Sequence, residues 1–276
     1  MGAGRTHTTR IQGVDVPSLG FGTFQLSGDD CERGVERALS VGYRHLDTAR
    51  AYGNESEVGA GMERSGVERG EVFLTTKLTS SDLGRDRVEP AVSDSLERLR
   101  TDYVDLLLIH WPSRDTTTPE TLAAMQEVQD EGRVRHVGVS NFPPSQLEAA
   151  LEQAPIFCNQ VEHHPLLGQQ RLRELAVEHD LLLTAYSPLA QGEVLSDPAL
   201  EEIAEAHGAT AAQVTLRWLI DQDHVCAIPK ATSFERIESN LAALELELSD
   251  EERRRIDGLD RGERLIDPSF APDWED

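Results

Sequence analysis

Short runs of apolar or alternating residues recur along the chain, each followed by a longer stretch whose apolar positions return every three or four residues. The β-like runs are Leu19–Gly22, Arg44–Asp47, Val72–Lys77, Val104–Ile109, Val134–Val139, Phe157–Val161, Leu181–Tyr186 and Val225–Ile228, eight in all. Helical periodicity lies between them, as in Cys31–Val41, Arg87–Leu99, Glu120–Asp130 and Ala211–Asp221. In the second of these, Val88, Val92, Leu96 and Leu99 share one helical face, which predicts burial of that face. Before the first strand, Thr9–Val16 reads as a small β-hairpin with Gly13-Val14-Asp15 between its arms.

Strands that alternate with helices predict a parallel sheet, either closed into a barrel or open and doubly wound. An open sheet that binds a dinucleotide carries G-x-G-x-x-G at its first helix, and Gly20-Phe21-Gly22-Thr23-Phe24-Gln25 has only the first two glycines. The expected fold is therefore a (β/α)8 TIM barrel, a single domain over residues 1–276, with the hairpin before it. No linker, repeat or low-complexity segment divides the chain.

Charge narrows the partners. Fifty acidic against 26 basic side chains give a net charge of -24, which disfavours nucleic acid. The basic residues are almost all arginine, the lysines being Lys77 and Lys230. Dense carboxylates with so little lysine resemble proteins of salt-accumulating halophiles; the alternative is an acidic mesophilic protein from a GC-rich genome. Three cysteines without a C-x-x-C pair fit a reducing compartment, and Cys158 and Cys226 read as small core residues. With no signal-like apolar stretch near the N-terminus and no run approaching about 18 apolar residues, a cytoplasmic protein free of membrane is expected. Met1-Gly2 with Thr6 fits the myristoylation pattern only loosely. His163-His164 suggests a metal, but neighbours in an extended strand point oppositely and no ligand spacing completes a site, so no metal is expected. Asn54-Glu55-Ser56 matches a glycosylation sequon by coincidence.

A barrel concentrates its chemistry at the C-terminal strand ends. There stand Asp47, Lys77 and His110, with Tyr52 in the loop after Asp47. Taken singly, each has an ordinary structural reading as a cap, a packed ring or a core histidine. Lys77 says more, because the chain elsewhere uses arginine, which cannot replace lysine in proton or Schiff-base chemistry.

Together the segments Gly42-Tyr43-Arg44-His45-Leu46-Asp47-Thr48-Ala49, Tyr52-Gly53-Asn54-Glu55, Thr76-Lys77-Leu78 and Leu108-Ile109-His110-Trp111-Pro112 resemble the aldo-keto reductases. The likeness continues through Gly138-Val139-Ser140-Asn141-Phe142, Asn159-Gln160-Val161-Glu162, Ala185-Tyr186-Ser187-Pro188-Leu189 and Ile228-Pro229-Lys230, spanning Gly20 to Asn240. The compact length is similar to prokaryotic members related to 2,5-diketo-gluconate reductase. The resemblance implies NADPH-dependent reduction of small aldehydes, α-dicarbonyls or keto-sugars by a monomer. Its tetrad is Asp47, Tyr52, Lys77 and His110, with Tyr52 as proton donor beside the Lys77 ammonium, which favours the phenolate left behind.

The resemblance also implies that Tyr186 stacks on the nicotinamide, that Ser140, Asn141 and Gln160 hold its carboxamide, and that Ser187 and Leu189 contact the pyrophosphate, with Gly22 and Thr23 alongside. Lys230, Ser233 and Arg236 would meet the 2'-phosphate and Asn240 the adenine, favouring NADPH over NADH. Ala231 and Ser239 depart from residues that add cofactor contacts in relatives, which leaves weaker use of NADH open. Phe24, Trp111 and Trp274 would line the substrate pocket if the C-terminal tail, Arg261–Asp276, crosses the barrel mouth; the alternative is that Phe270 and Trp274 pin the tail outside. From other classes, a non-catalytic NADPH-sensing subunit and a Schiff-base aldolase using Lys77 remain open.

Overall fold

The computed structural model describes residues 7–113 and 118–274. Met1, Gly2 and Thr6, and with them the myristoylation pattern, lie outside the described residues. The chain opens with an antiparallel hairpin, β1 (Thr8–Ile11) and β2 (Val14–Pro17), in which Ile11 faces Val14. Its turn is Gln12-Gly13 alone, with φ of +47° and +82°. Two positive φ values give the primed turn whose twist matches the flanking strands. Val14 and Asp15, read from the sequence as part of the connection, are therefore strand residues, and Asp15 pairs with Arg10 at 3.0 Å.

Eight parallel strands follow: β3 (Phe21–Gly22), β4 (His45–Asp47), β5 (Phe73–Leu78), β6 (Val104–Ile109), β7 (Val134–Ser140), β8 (Cys158–Glu162), β9 (Leu182–Tyr186) and β10 (Val225–Ala227). Each hydrogen-bonds to the next in chain order. The last returns to the first through a parallel bridge between Leu19 and Ala227, with Gly20 N donating to Ala227 O at 2.8 Å and Gly22 N to Pro229 O at 3.1 Å. The sheet is thus closed into the expected (β/α)8 barrel. Closure is tight enough to require glycine at Gly22, where a Cβ would stand 2.7 Å from Ile228 O.

Period-two alternation sorts each strand's side chains. In β6, Leu107 and Ile109 join the large core under the helices, whereas Leu106 and Leu108 join a second cluster with Phe73, Phe157, Cys158, Leu182 and Cys226 inside the barrel. Ile11 and Val16, both fully buried, belong to that inner cluster, so the hairpin closes the N-terminal end of the barrel. Cys158 and Cys226 are inert there: burial pushes the Cys158 thiol up to about 12 and that of Cys226 higher still.

The outer layer comprises α1 (Gly28–Val41), α2 (Glu55–Ser65), α3 (Arg85–Leu99), α4 (Thr118–Asp130), α5 (Pro144–Leu151), α6 (Gln170–Glu178), α7 (Pro198–His207), α8 (Ala211–Ile220), α9 (Phe234–Leu241) and α10 (Asp250–Asp257). Val88, Val92, Leu96 and Leu99 of α3 are all buried, as their spacing predicts. No helix among the described residues is long and apolar enough to cross a membrane.

Candidate active site

On β5, Phe73, Thr75 and Lys77 share the inward face, so the residue that ends this strand's apolar run sends its ammonium into the barrel near the C-terminal rim. Lys77 is wholly buried. Its Nζ donates to Asp47 Oδ1 at 2.6 Å, to Thr48 O at 2.8 Å and to the Tyr52 hydroxyl at 3.4 Å. All three of its donors are used. Burial opposes the charged form, but the Asp47 carboxylate and Tyr52 outweigh it and hold the Lys77 pKa above the ordinary value.

Local structure explains why Tyr52 meets this ammonium. A single 3-10 turn, Arg50–Tyr52, follows β4 and stops at Gly53, whose φ is +66°. Arg50 fastens the turn from below, with Nε to Asp82 at 2.9 Å and Nη1 to Asp94 at 3.0 Å and to Ala91 O at 2.8 Å. Asn54, fully buried, accepts from Thr48 Oγ1 at 2.8 Å and donates to Thr23 O and Leu26 O, both at 2.9 Å. The sequon asparagine is therefore an internal brace for the loops carrying Asp47 and Tyr52, inaccessible to a glycan.

Burial raises the Tyr52 pKa, and Asp47 acts in the same direction, while the charge and hydrogen bond of Lys77 oppose them. The Lys77 ammonium thus favours the phenolate, as expected from the sequence, but desolvation outweighs it and sets the net direction. The Tyr52 ring lies 5.6 Å from the His110 ring and 5.1 Å from that of Phe24. Burial, reinforced by Lys77, lowers the His110 pKa to about 3, so its imidazole is neutral near pH 7.

A polar layer joins this cluster to the next three strand ends. Gln160 Nε2 donates to Asp47 Oδ2 at 2.7 Å, Ser140 Oγ to Gln160 O at 2.8 Å, Asn141 Nδ2 to His110 O at 2.9 Å, and Tyr186 OH to Asn141 Oδ1 at 2.7 Å. Four of the residues assigned to the nicotinamide thus adjoin the four assigned to catalysis. Gly22 and Thr23 also belong to this rim: Thr23 donates to Asp47 O through both N and Oγ1, each at 3.0 Å.

Past β9, Ser187, Ala190, Gln191 and Gly192 all have φ between +47° and +101°, and Leu189 packs partly buried among them. Lys230, Ser233, Arg236 and Asn240 stand apart from the tetrad, on β10–α9. Ser233 caps α9, its Oγ accepting from Arg236 N at 3.3 Å; Lys230 and Arg236 are exposed and Asn240 is buried. The guanidinium groups of Arg33 and Arg37 lie 5.3 and 6.0 Å from the neighbouring Phe234 ring, and Arg37 is ion-paired with Glu238. A buried polar layer, a left-handed loop and the exposed Lys230 and Arg236 thus lie in order along the C-terminal rim, an arrangement with the reach and chemistry to hold a dinucleotide.

The tail reaches the mouth. Trp111, next to His110, meets the Phe270 ring at 5.4 Å and the Trp274 ring at 6.2 Å, and Arg264 stacks on Trp274 at 3.7 Å. His163 bonds Leu167 O and Gln222 Oε1, while His164 bonds Glu162 Oε1 at 3.0 Å, so the two histidines serve different partners. Arg50 has no counterpart among the residues expected from the sequence, and Asn54 and Glu162, which lie in the segments that resemble the family, had been given no role there.

A closed parallel barrel whose C-terminal rim gathers a tyrosine, an ion-paired lysine and a neutral histidine defines an oxidoreductase of carbonyl groups. Residues 18–261 match the Aldo/keto reductase family, and the chain belongs to it. It is 40% identical over 266 residues to Methylglyoxal reductase DkgB of Escherichia coli O157:H7, covering 94% of this chain and 99% of that protein. It is 42% identical over 256 residues to Glyoxal reductase of Bacillus subtilis (strain 168), covering 92% of each. A solved protein provisionally named 2,5-diketo-D-gluconic acid reductase B superposes with a TM-score of 0.95 at 43% identity, over 98% of both chains.

Proposed function

We propose that this enzyme reduces small aldehydes, α-dicarbonyls or keto-sugars to alcohols with NADPH, using NADH less well, and that Tyr52 donates the proton. The observation that carries this reading is the saturated Lys77 ammonium, 2.6 Å from Asp47 and 3.4 Å from the Tyr52 hydroxyl. NADPH, when bound, supplies the hydride that adds to the carbonyl carbon. The carbonyl oxygen then gains negative charge, and Tyr52 is placed to protonate it. The phenolate that remains faces Lys77, whose charge Asp47 fixes in position. Neutral His110 donates a hydrogen bond to the same oxygen and orients it.

Ser140, Asn141, Gln160 and Tyr186 would hold the nicotinamide, Ser187 and Leu189 the pyrophosphate, and Lys230, Ser233, Arg236 and Asn240 the adenosine 2'-phosphate end. Phe24, Trp111 and Trp274 would form the apolar wall of the substrate pocket. The names of the Escherichia coli and Bacillus subtilis relatives favour α-dicarbonyls as the first substrates to try. A Schiff-base aldolase needs a neutral amine, against which stand the raised pKa of Lys77 and its three acceptors. Tyr52→Phe tests the proposal: reduction of methylglyoxal should be nearly abolished while NADPH still binds, and retention of most wild-type activity would refute the role of Tyr52.

A further inference from the structure

Gln160 and Glu162 lie two residues apart on β8 and so face the same side, one layer above the other. Gln160 serves Asp47. Glu162 serves something else. It is fully buried, and besides His164 its Oε1 accepts from Leu265 N at 2.9 Å and its Oε2 from Ile266 N at 3.0 Å. Both oxygens of one buried carboxylate thus hold two successive backbone N–H groups of the C-terminal tail. The loop after β8 widens the seat: Leu166 O accepts from Arg261 N at 3.3 Å and from Glu263 N at 2.9 Å. Gly168 lets the tail approach, since a Cβ there would stand 2.5 Å from the Asp260 carboxylate.

The strap so fastened carries Arg264, Phe270 and Trp274 back over Trp111. Phe270 is 58% exposed, so its own packing holds it weakly, and the buried bonds near its root set where it lies. We propose that Glu162 is a specificity-determining positioning residue: it latches the strap across the mouth and thereby fixes the aromatic wall against which the substrate's side group packs. The inference rests on the mouth being the carbonyl-substrate site, as proposed above. Glu162 makes no bond to Lys77, Tyr52 or Asp47, so its effect should fall on recognition of large side groups and little on turnover.

Two variants cut the latch from opposite sides. Glu162→Gln removes one acceptor, and Leu265→Pro removes one donor from a segment outside the barrel strands, which guards against a misfolded barrel variant. Hydrogen exchange should accelerate at amides 264–274 in both. KM for phenylglyoxal should rise about three- to tenfold, the scale of one or two lost aromatic contacts, while KM for methylglyoxal and both kcat values shift by less than about twofold. Adding Phe270→Ala and Trp274→Ala to either variant should raise the phenylglyoxal KM no further than those two changes do alone. Unchanged exchange over 264–274, or a loosened strap with an unchanged ratio of the two KM values, would overturn the proposal. A fall in kcat for both probes at unchanged KM would also overturn it, assigning Glu162 to the reaction centre. If wild-type enzyme turns over neither probe, the functional reading fails and the specificity role with it, whereas the latch itself stands or falls on the exchange data.

Discussion

Replacing Lys77 with methionine takes one charge from a pocket that holds two. Lys77 is 0% and Asp47 2% exposed, at 2.6 Å. The loss acts on stability because Asp47 is left without its cation in a buried site, and breaking a buried pair from one side costs about 3–5 kcal/mol. It acts on chemistry because the Tyr52 oxygen lies 3.4 Å from Nζ. At an effective dielectric of about 20, unit charges at that distance attract by about 5 kcal/mol. If proton transfer is between half and fully complete in the transition state, the variant loses roughly 2.5–5 kcal/mol, or about 50- to 5,000-fold in kcat.

A second substitution separates the two effects. Lys77→Met with Asp47→Asn removes the stranded carboxylate, so most of the lost stability should return while the rate does not. The assays are initial rates of NADPH oxidation at saturating methylglyoxal, and urea unfolding of the same preparations. A single variant within tenfold of wild type would refute the electrostatic role. So would a double variant that regains rate along with stability, because Lys77 would then serve only the fold.

Arg236→Ala should raise KM for NADPH about 10- to 100-fold and KM for NADH little, the scale of a charge-assisted phosphate contact; equal effects would remove the 2'-phosphate assignment. His110 and His163 have pKa values lowered, chiefly by burial, to about 3 and about 4, below the unfolded value of about 6.5. The unfolded chain therefore takes up protons that the native one refuses, and stability should fall as pH drops from about 6.5 toward 4; His110→Gln should make that slope in Tm shallower, and an identical slope would contradict it. Raising potassium chloride from about 0.1 to 3 M should increase both Tm and NADPH affinity, since the Debye length shrinks to about 3 Å at 1 M and screens the net charge of -24. A steady fall in both would show that the acidic surface is no adaptation to salt.

The barrel was legible because β6 and α3 carry strong periodicities, and Leu106/Leu107 and Val88/Val92 face where those periods send them. The hairpin turn is Gln12-Gly13 and not Gly13-Val14-Asp15 because Gln12 adopts a left-handed φ of +47° that its side chain does not announce, whereas Gly13 is an obvious turn residue. Asp47, Tyr52, Lys77 and His110 were readable from strand ends and from resemblance. Arg50 was not, since its partners Asp82 and Asp94 lie 32 and 44 residues away. Glu162 had one available signal, its two-residue offset from Gln160, but its tail partners lie more than 100 residues on. The path of the tail is tertiary information: no local pattern relates Trp274 to Trp111.

The two lysines divide the electrostatic work of a chain that otherwise spends its positive charge on arginine. Arginine suits the surface, where Arg64 reaches Glu32 and Glu36 and Arg171 reaches Glu148 and Glu174, exposed pairs worth little individually. Inside the barrel, three acceptors converge on one point, and a compact ammonium with three donors satisfies them all. A guanidinium brings five donors in a rigid plane, so at least two would be buried without partners, and a pocket with no solvent exposure cannot hydrate them. Lys230 presents the opposite case. It is exposed on a surface rich in carboxylates yet has no ion-pair partner among the described residues, which leaves its charge free for an incoming anion. In the proposed reaction, geometry fixes the charge that would face a Tyr52 phenolate, while the surrounding salt governs the field that an incoming anionic cofactor would cross to reach it.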